Sequence, residues 1–264
     1  MIETGLSSPI ATGRAGAANA IAVASGKGGV GKTWLSITLA HALAKTGRRV
    51  LLFDGDLGLA NIDIQLGLTP QVDLGAVLEQ NLAIEKAVMP YAEGGFDVIA
   101  GRSGTGSLAS LTGGRLKALA DGVFALAGSY DHLILDLGAG IERTVRHLAA
   151  RCGTCLVVTT DEPTALTDAY AFIKLSAAQR ETADNIRIVV NLAGSPSEGR
   201  RTYGTLLKAC QSFLELAPPL AGIVRRDSRV KDSIRAQRPI LIRHPTAPAA
   251  ADVTAIAQRL AEES

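Results

Sequence analysis

Residues 20–33 read Ala20-Ile21-Ala22-Val23-Ala24-Ser25-Gly26-Lys27-Gly28-Gly29-Val30-Gly31-Lys32-Thr33, an apolar run that passes through a glycine-rich turn into Lys-Thr. From Gly26 the stretch satisfies G-x4-G-K-[ST], set between a strand pattern and a helical pattern beginning near Lys32. Phosphate oxygens need several converging N–H donors. The glycines let the backbone of Gly28, Gly29, Val30 and Gly31 curl into an anion-binding nest, and the following helix start adds its partial positive charge. Lys32 then reaches the outer phosphates as a point charge, and Thr33 offers a hydroxyl to Mg²⁺. The bland alternative is a turn that only connects a strand to a helix.

Outward from this loop, short apolar runs alternate with longer helical patterns. The runs are Ala20-Val23, Arg49-Phe53, Phe96-Ile99, His132-Leu137, Cys155-Thr160, Ile186-Asn191 and Leu220-Val224. Strands without polar alternation are buried on both faces, so the pattern predicts an α/β fold: one domain with a doubly wound, mostly parallel sheet and helices on both faces. Ligands bind such sheets at the strand carboxyl ends. Residues 1–19, rich in Gly, Ala, Ser and Thr, read as a disordered or loosely docked arm ahead of a domain spanning 20–264. A last helix is expected over about Ala249 to Glu262.

Two acidic segments follow strands of this pattern. The first is Asp54-Gly55-Asp56-Leu57-Gly58-Leu59-Ala60-Asn61-Ile62-Asp63-Ile64-Gln65-Leu66-Gly67-Leu68. Hydrolysis of a phosphoanhydride needs a group that orients water in line with the outer phosphate, and Mg²⁺ needs oxygen ligands. Asp56 is the candidate for the water and Asp54 for the metal's outer shell; capping of the next turn is the structural alternative. The second is Asp136-Leu137-Gly138-Ala139-Gly140-Ile141, where Asp136 helps hold Mg²⁺ and Gly138 offers an N–H to the γ-phosphate. Thr164 or Thr167 has the chemistry of a helix N-cap.

Composition bounds the rest. The chain has 264 residues, is 47% hydrophobic and carries a net charge of +2, so global electrostatics imply no obligate nucleic-acid partner. Its Cys152, Cys155 and Cys210 are too few for a disulfide scaffold. No apolar stretch approaches the roughly 20 residues of a membrane span, so the expected compartment is cytoplasmic. The strongest local charge bias is basic, from Arg225 to Arg243; it reads as a solvated face or as a weak DNA, lipid or partner surface. Trp34 beside the loop is read as packing that reports nucleotide binding by its fluorescence.

The string KGGVGKT, with the extra Lys27, resembles the deviant Walker A box of the MinD/ParA ATPases. DGDLGLANIDIQLGL and DLGAGI are similar to that family's two switch regions, and TTDEPTALTDAY to its TTPEPTALTDAY segment. The GLANIDxxLGL form looks most like the flagellar-number branch, the FlhG (FleN, YlxH-type) proteins. The likeness covers about Ala20 to Leu260.

The resemblance implies a Mg-dependent ATPase that uses ATP and Mg²⁺, with Lys27 crossing an ATP-dependent homodimer interface to touch the partner's phosphates. It implies Asn191 as an adenine contact and Arg225 near the adenine by its backbone; Trp34 is counted among the nucleotide-binding residues by its place one residue past Thr33. It also implies control of flagellar number or placement, with an FlhF-type GTPase, flagellar switch components or a flagellar transcription regulator as partners, and recruitment by them to the cell pole or inner membrane face. Division-site or chromosome positioning is the alternative within the family, and an iron-sulfur carrier using Cys152 and Cys155 a further one. The chain end AQRLAEES lacks the terminal amphipathic helix of membrane-cycling relatives, and residues 1–19 lack the activator motif some flagellar relatives carry.

Overall fold

In the computed structural model, which describes residues 17–56, 58–101, 113–178 and 185–263, the chain forms one eight-stranded sheet in the order β3-β4-β2-β5-β1-β6-β7-β8. The strands are β1 (Ala17–Ser25), β2 (Val50–Gly55), β3 (Val88–Tyr91), β4 (Phe96–Ile99), β5 (His132–Ala139), β6 (Cys152–Thr159), β7 (Ile186–Ala193) and β8 (Leu220–Arg225). All pairings are parallel except that of the edge strand β3 with β4. The helices are α1 (Lys32–Ala44), α2 (Ile62–Leu66), α3 (Leu74–Glu79), α4 (Gly113–Leu126), α5 (Arg143–Ala149), α6 (Pro163–Ala177), α7 (Pro196–Leu214), α8 (Ser228–Arg235), α9 (Ile240–Arg243) and α10 (Pro248–Glu262).

The two-residue period of each strand divides its side chains between two cores. Ala20, Ala22, Leu51 and Phe53 face the layer that holds Phe124 of α4, Val145 of α5, Phe172 of α6 and Leu206 of α7. Ile21, Val23, Val50 and Leu52 face the layer of Leu35 and Leu39 of α1, Ile62 of α2, Ile240 of α9 and Val253 of α10. Both faces are covered, which is why the strands read as unbroken apolar runs. Helix α1 is buried almost throughout; its Thr38 hydroxyl donates back to the carbonyl of Trp34 at 2.7 Å, and its Ser36 hydroxyl shares its one proton between Lys32 O at 3.0 Å and Asp136.

Three expectations change. Residues 17–19 belong to β1 and not to an arm: Ala17 N–H donates to Arg151 O, and the Asn19 amide donates to Ala127 O and Tyr130 O. Residues 1–16 lie outside the described part. The sequence pattern also gave no β3, because only Tyr91 of its four residues is buried and Pro90 is exposed, which leaves little strand signal; proline is tolerated there because the strand is an edge. Finally, neither Thr164 nor Thr167 caps α6. Glu162 is the N-cap without a side-chain bond, Pro163 starts the helix, and the Thr167 hydroxyl donates to Pro163 O within it.

Among the described residues, no helix is long and apolar enough to cross a membrane.

Candidate nucleotide-binding site

The glycine-rich loop leaves the carboxyl end of β1, flanked by β5 and β6, and enters α1. Two glycines in it have no substitute. Gly31, the N-cap of α1, has φ 90°, in the left-handed region that side chains strain. A Cβ on Gly26 would lie 2.1 Å from the carbonyl oxygen of Asp168, so the loop is pressed directly against the backbone of α6. Ser25 shapes the same turn from the strand side, its hydroxyl donating to Lys27 O at 2.6 Å.

Lys32 is buried at the mouth of α1, and burial lowers its pKa against the opposing pull of Asp136 and Asp56. Asp136, within β5, accepts a hydrogen bond from the Ser36 hydroxyl at 2.9 Å, and the nearby Thr33 hydroxyl also favours its charged form. Its register partner on β2 is Asp54. Burial raises the Asp136 pKa to about 6; burial, then the charge of Asp136, raises that of Asp54 to about 8. The charges that act on Lys32 are those of Asp136 and Asp56. With the Thr33 and Ser36 hydroxyls beside it, Asp136 offers an oxygen donor set that fits a hard divalent cation.

Asp54 does a further job. Its Oδ1 accepts from Asp56 N at 3.2 Å, and its Oδ2 from Asn61 N and Ile62 N at 3.0 and 3.1 Å. The carboxylate is therefore the N-terminal cap of α2, reached from β2, and it ties down both ends of the Asp56 loop. Its oxygens are engaged by backbone, which supports only an indirect role at a metal. Asp56 accepts from Leu59 N at 3.0 Å and lies against Gly138, where an added Cβ would come within 3.4 Å of Asp56 Oδ1. The two acidic segments of the sequence thus meet beside Lys32.

Lys27 points away from this cluster. Its Nζ donates to Glu162 Oε2 and to Thr164 Oγ1, each at 2.6 Å, and the Lys27 hydrogen bond holds the exposed Glu162 carboxyl below its ordinary range. Asn191 approaches the loop from β7: its Nδ2 donates to Val30 O at 2.7 Å and its Oδ1 accepts from Leu192 N. In this state its polar atoms pin the loop. At the end of β8, Arg225 N–H is engaged by Asp252 Oδ2, as are its Nε and Nη2 by the same carboxylate, so its donors are already taken within the chain. The Trp34 side chain lies in the core facing α10, its indole N–H without a partner, so only its backbone is near the loop.

Sequence reasoning missed Ser36, Ser25 and Glu162. Ser36 lies one turn beyond Lys32, and that spacing is the signal that would have found it. Cys152 and Cys155 are both buried within β6, and burial raises both thiols, Cys155 to about 12.

Residues 21–240 match the model of the CobQ/CobB/MinD/ParA nucleotide binding domain. The chain is 38% identical over 240 residues to the antiactivator FleN of Pseudomonas aeruginosa, covering 91% of this chain and 85% of that one. It is 33% identical over 220 residues to the flagellum site-determining protein YlxH of Helicobacter pylori, covering 83% and 73%. Among solved structures it resembles the septum site-determining protein MinD of Pyrococcus horikoshii complexed with Mg-ADP, with a TM-score of 0.76 at 22% identity over 92% of this chain and 95% of that one.

Proposed function

The chain belongs to the CobQ/CobB/MinD/ParA nucleotide-binding family, and from that premise we propose that it is an ATP-dependent dimerising switch that hydrolyses ATP to ADP and phosphate. The observation that carries this reading is the convergence of Lys32, Asp56, Asp136 and Gly138 on the mouth of one glycine loop.

In this reading the loop N–H groups and Lys32 bind the phosphates, and Asp56 orients the attacking water. Thr33 and Asp136 would hold Mg²⁺, with Asp54 acting only indirectly, and the ion would neutralise charge on the phosphates. Gly138 donates to the γ-phosphate, and its segment relaxes when that phosphate leaves. Lys27 adds a cation in trans, comparable to an arginine finger, once it exchanges Glu162 for the partner's phosphates.

The likeness to FleN and YlxH supports control of flagellar number or placement, through an FlhF-type GTPase, flagellar switch components or a flagellar transcription regulator. The likeness to MinD proteins supports a second reading, positioning of a division regulator. A deletion strain with altered flagellation and normal septa favours the first; minicells or filaments favour the second. The biochemical test is solution mass by light scattering with ADP, with ATP and Mg²⁺, and with ATP for Asp56→Ala and Lys27→Ala. A dimer seen only with ATP, trapped by Asp56→Ala and weakened by Lys27→Ala, is the expected result; a mass insensitive to nucleotide overturns the switch.

A further inference from the structure

Helix α2, Ile62–Leu66, directly follows the Asp56 loop, and at five residues it is too short to be stable alone. Its N-terminal end hangs on the Asp54 carboxylate. Its other end hangs on a residue 173 positions away: Gln237 Nε2 donates to Ile64 O at 2.9 Å. That carbonyl is one of the open acceptors at a helix C-terminus, and within the segment it receives only the long 3.4 Å contact from Gly67 N.

Just beyond α8, Gln237 has φ 51°, the left-handed conformation of a residue that closes a helix C-terminus. Opposite it stands Gly67, where a Cβ would come within 3.3 Å of both Cβ and Oε1 of Gln237, so the side chain is seated against the end of α2. The segment carrying it is fixed: Gln237 N donates to Ile234 O and Arg238 N to Ser233 O, both at 3.0 Å, and Arg238 pairs with Glu93 at 3.3 Å.

We propose that Gln237 is a positioning residue for ATP hydrolysis. It clamps the C-terminal end of α2, and with Asp54 at the other end it suspends the Asp56 loop so that Asp56 lies against Gly138. This rests on the reading of the chain as an ATPase, and it adds to that reading a residue from the C-terminal third of the chain that touches neither nucleotide nor water.

The test uses the full chain. Gln237→Gly removes the clamp and suits the left-handed backbone, so its melting temperature stays equal to or above that of the wild type. Expected with it are a turnover number lowered roughly tenfold, an ADP affinity within about twofold of the wild type, since Lys32 and the glycine loop are untouched, and faster hydrogen exchange at residues 62–66. Gln237→Lys, which keeps a donor of similar reach, restores turnover. Unchanged turnover in Gln237→Gly, or unchanged exchange at 62–66, overturns the proposal. A wild type that binds ATP without turning it over sinks the ATPase reading instead, and exchange at 62–66 then decides the clamp by itself.

Discussion

Lys27 and Glu162, 135 residues apart in sequence, form a 2.6 Å ion pair inside one chain, with Thr164 as second acceptor. A lysine that acts on a partner's phosphates must first leave this pair, so the contact opposes association. Glu162→Gln weakens the hold on Lys27, and the ATP concentration at which the dimer forms in light scattering is expected to fall. Lys27→Ala removes both the hold and the cation, and no ATP dimer is expected. Identical dimerisation of Glu162→Gln and wild type would show that the pair does not restrain the lysine.

The acids Asp54 and Asp136 set a pH dependence. Each has a folded pKa above its unfolded value, so the folded state binds more protons than the unfolded one between about pH 4 and pH 8, and stability falls as pH rises through that window. Below about pH 6.5 the buried His41, its pKa lowered to about 4, works the other way, so without nucleotide and Mg²⁺ the melting temperature is expected to decline from pH 6.5 to 8. Asp136→Asn, by removing one charge of the pair, flattens the slope. A wild-type profile flat across this range would contradict the assignment.

Ser36 is buried and its hydroxyl is a donor to Asp136. Ser36→Ala leaves that oxygen short of a partner, at a cost of about 1–3 kcal/mol in stability. It also loosens a proposed Mg²⁺ ligand, so ADP affinity in Mg²⁺ falls severalfold while affinity in EDTA changes little; calorimetric titration in the two buffers separates the effects.

Gly26→Ala places a methyl 2.1 Å from Asp168 O, a backbone atom that cannot swing aside. The loop and α6 must separate, with an expected loss of about 2 kcal/mol or more in urea unfolding and weakened ADP binding. Gly29→Ala, where space is open, is the control: there only the left-handed φ of 79° is penalised, so its loss is smaller.

Much of this was legible in the sequence because the information was local. The loop Gly26 to Thr33 needs its glycines and its Lys-Thr in fixed order, and each apolar run up to Leu220-Val224 announces a strand covered on both sides. Asp56 and Asp136 stand out because each follows such a run. Asn191 came from family likeness and not from local chemistry. The edge strand β3 stayed hidden because Val88, Met89 and Pro90 are partly exposed, so burial imposes little pattern on them.

What tertiary structure decided is which distant groups share a partner. Asp54 reads as a candidate metal neighbour until its oxygens are seen to hold the start of α2, and Gln237 reads as an ordinary polar residue until its amide is found on Ile64 O. Lys27 reads as a charge for another subunit until it is found held by Glu162. Sequence alone determined the phosphate loop, the parallel sheet and the acids at its carboxyl edge, because turn geometry and burial act over a few residues. Long-range hydrogen bonds carry no periodicity in the chain, and only packing the helices onto the sheet brings their ends together.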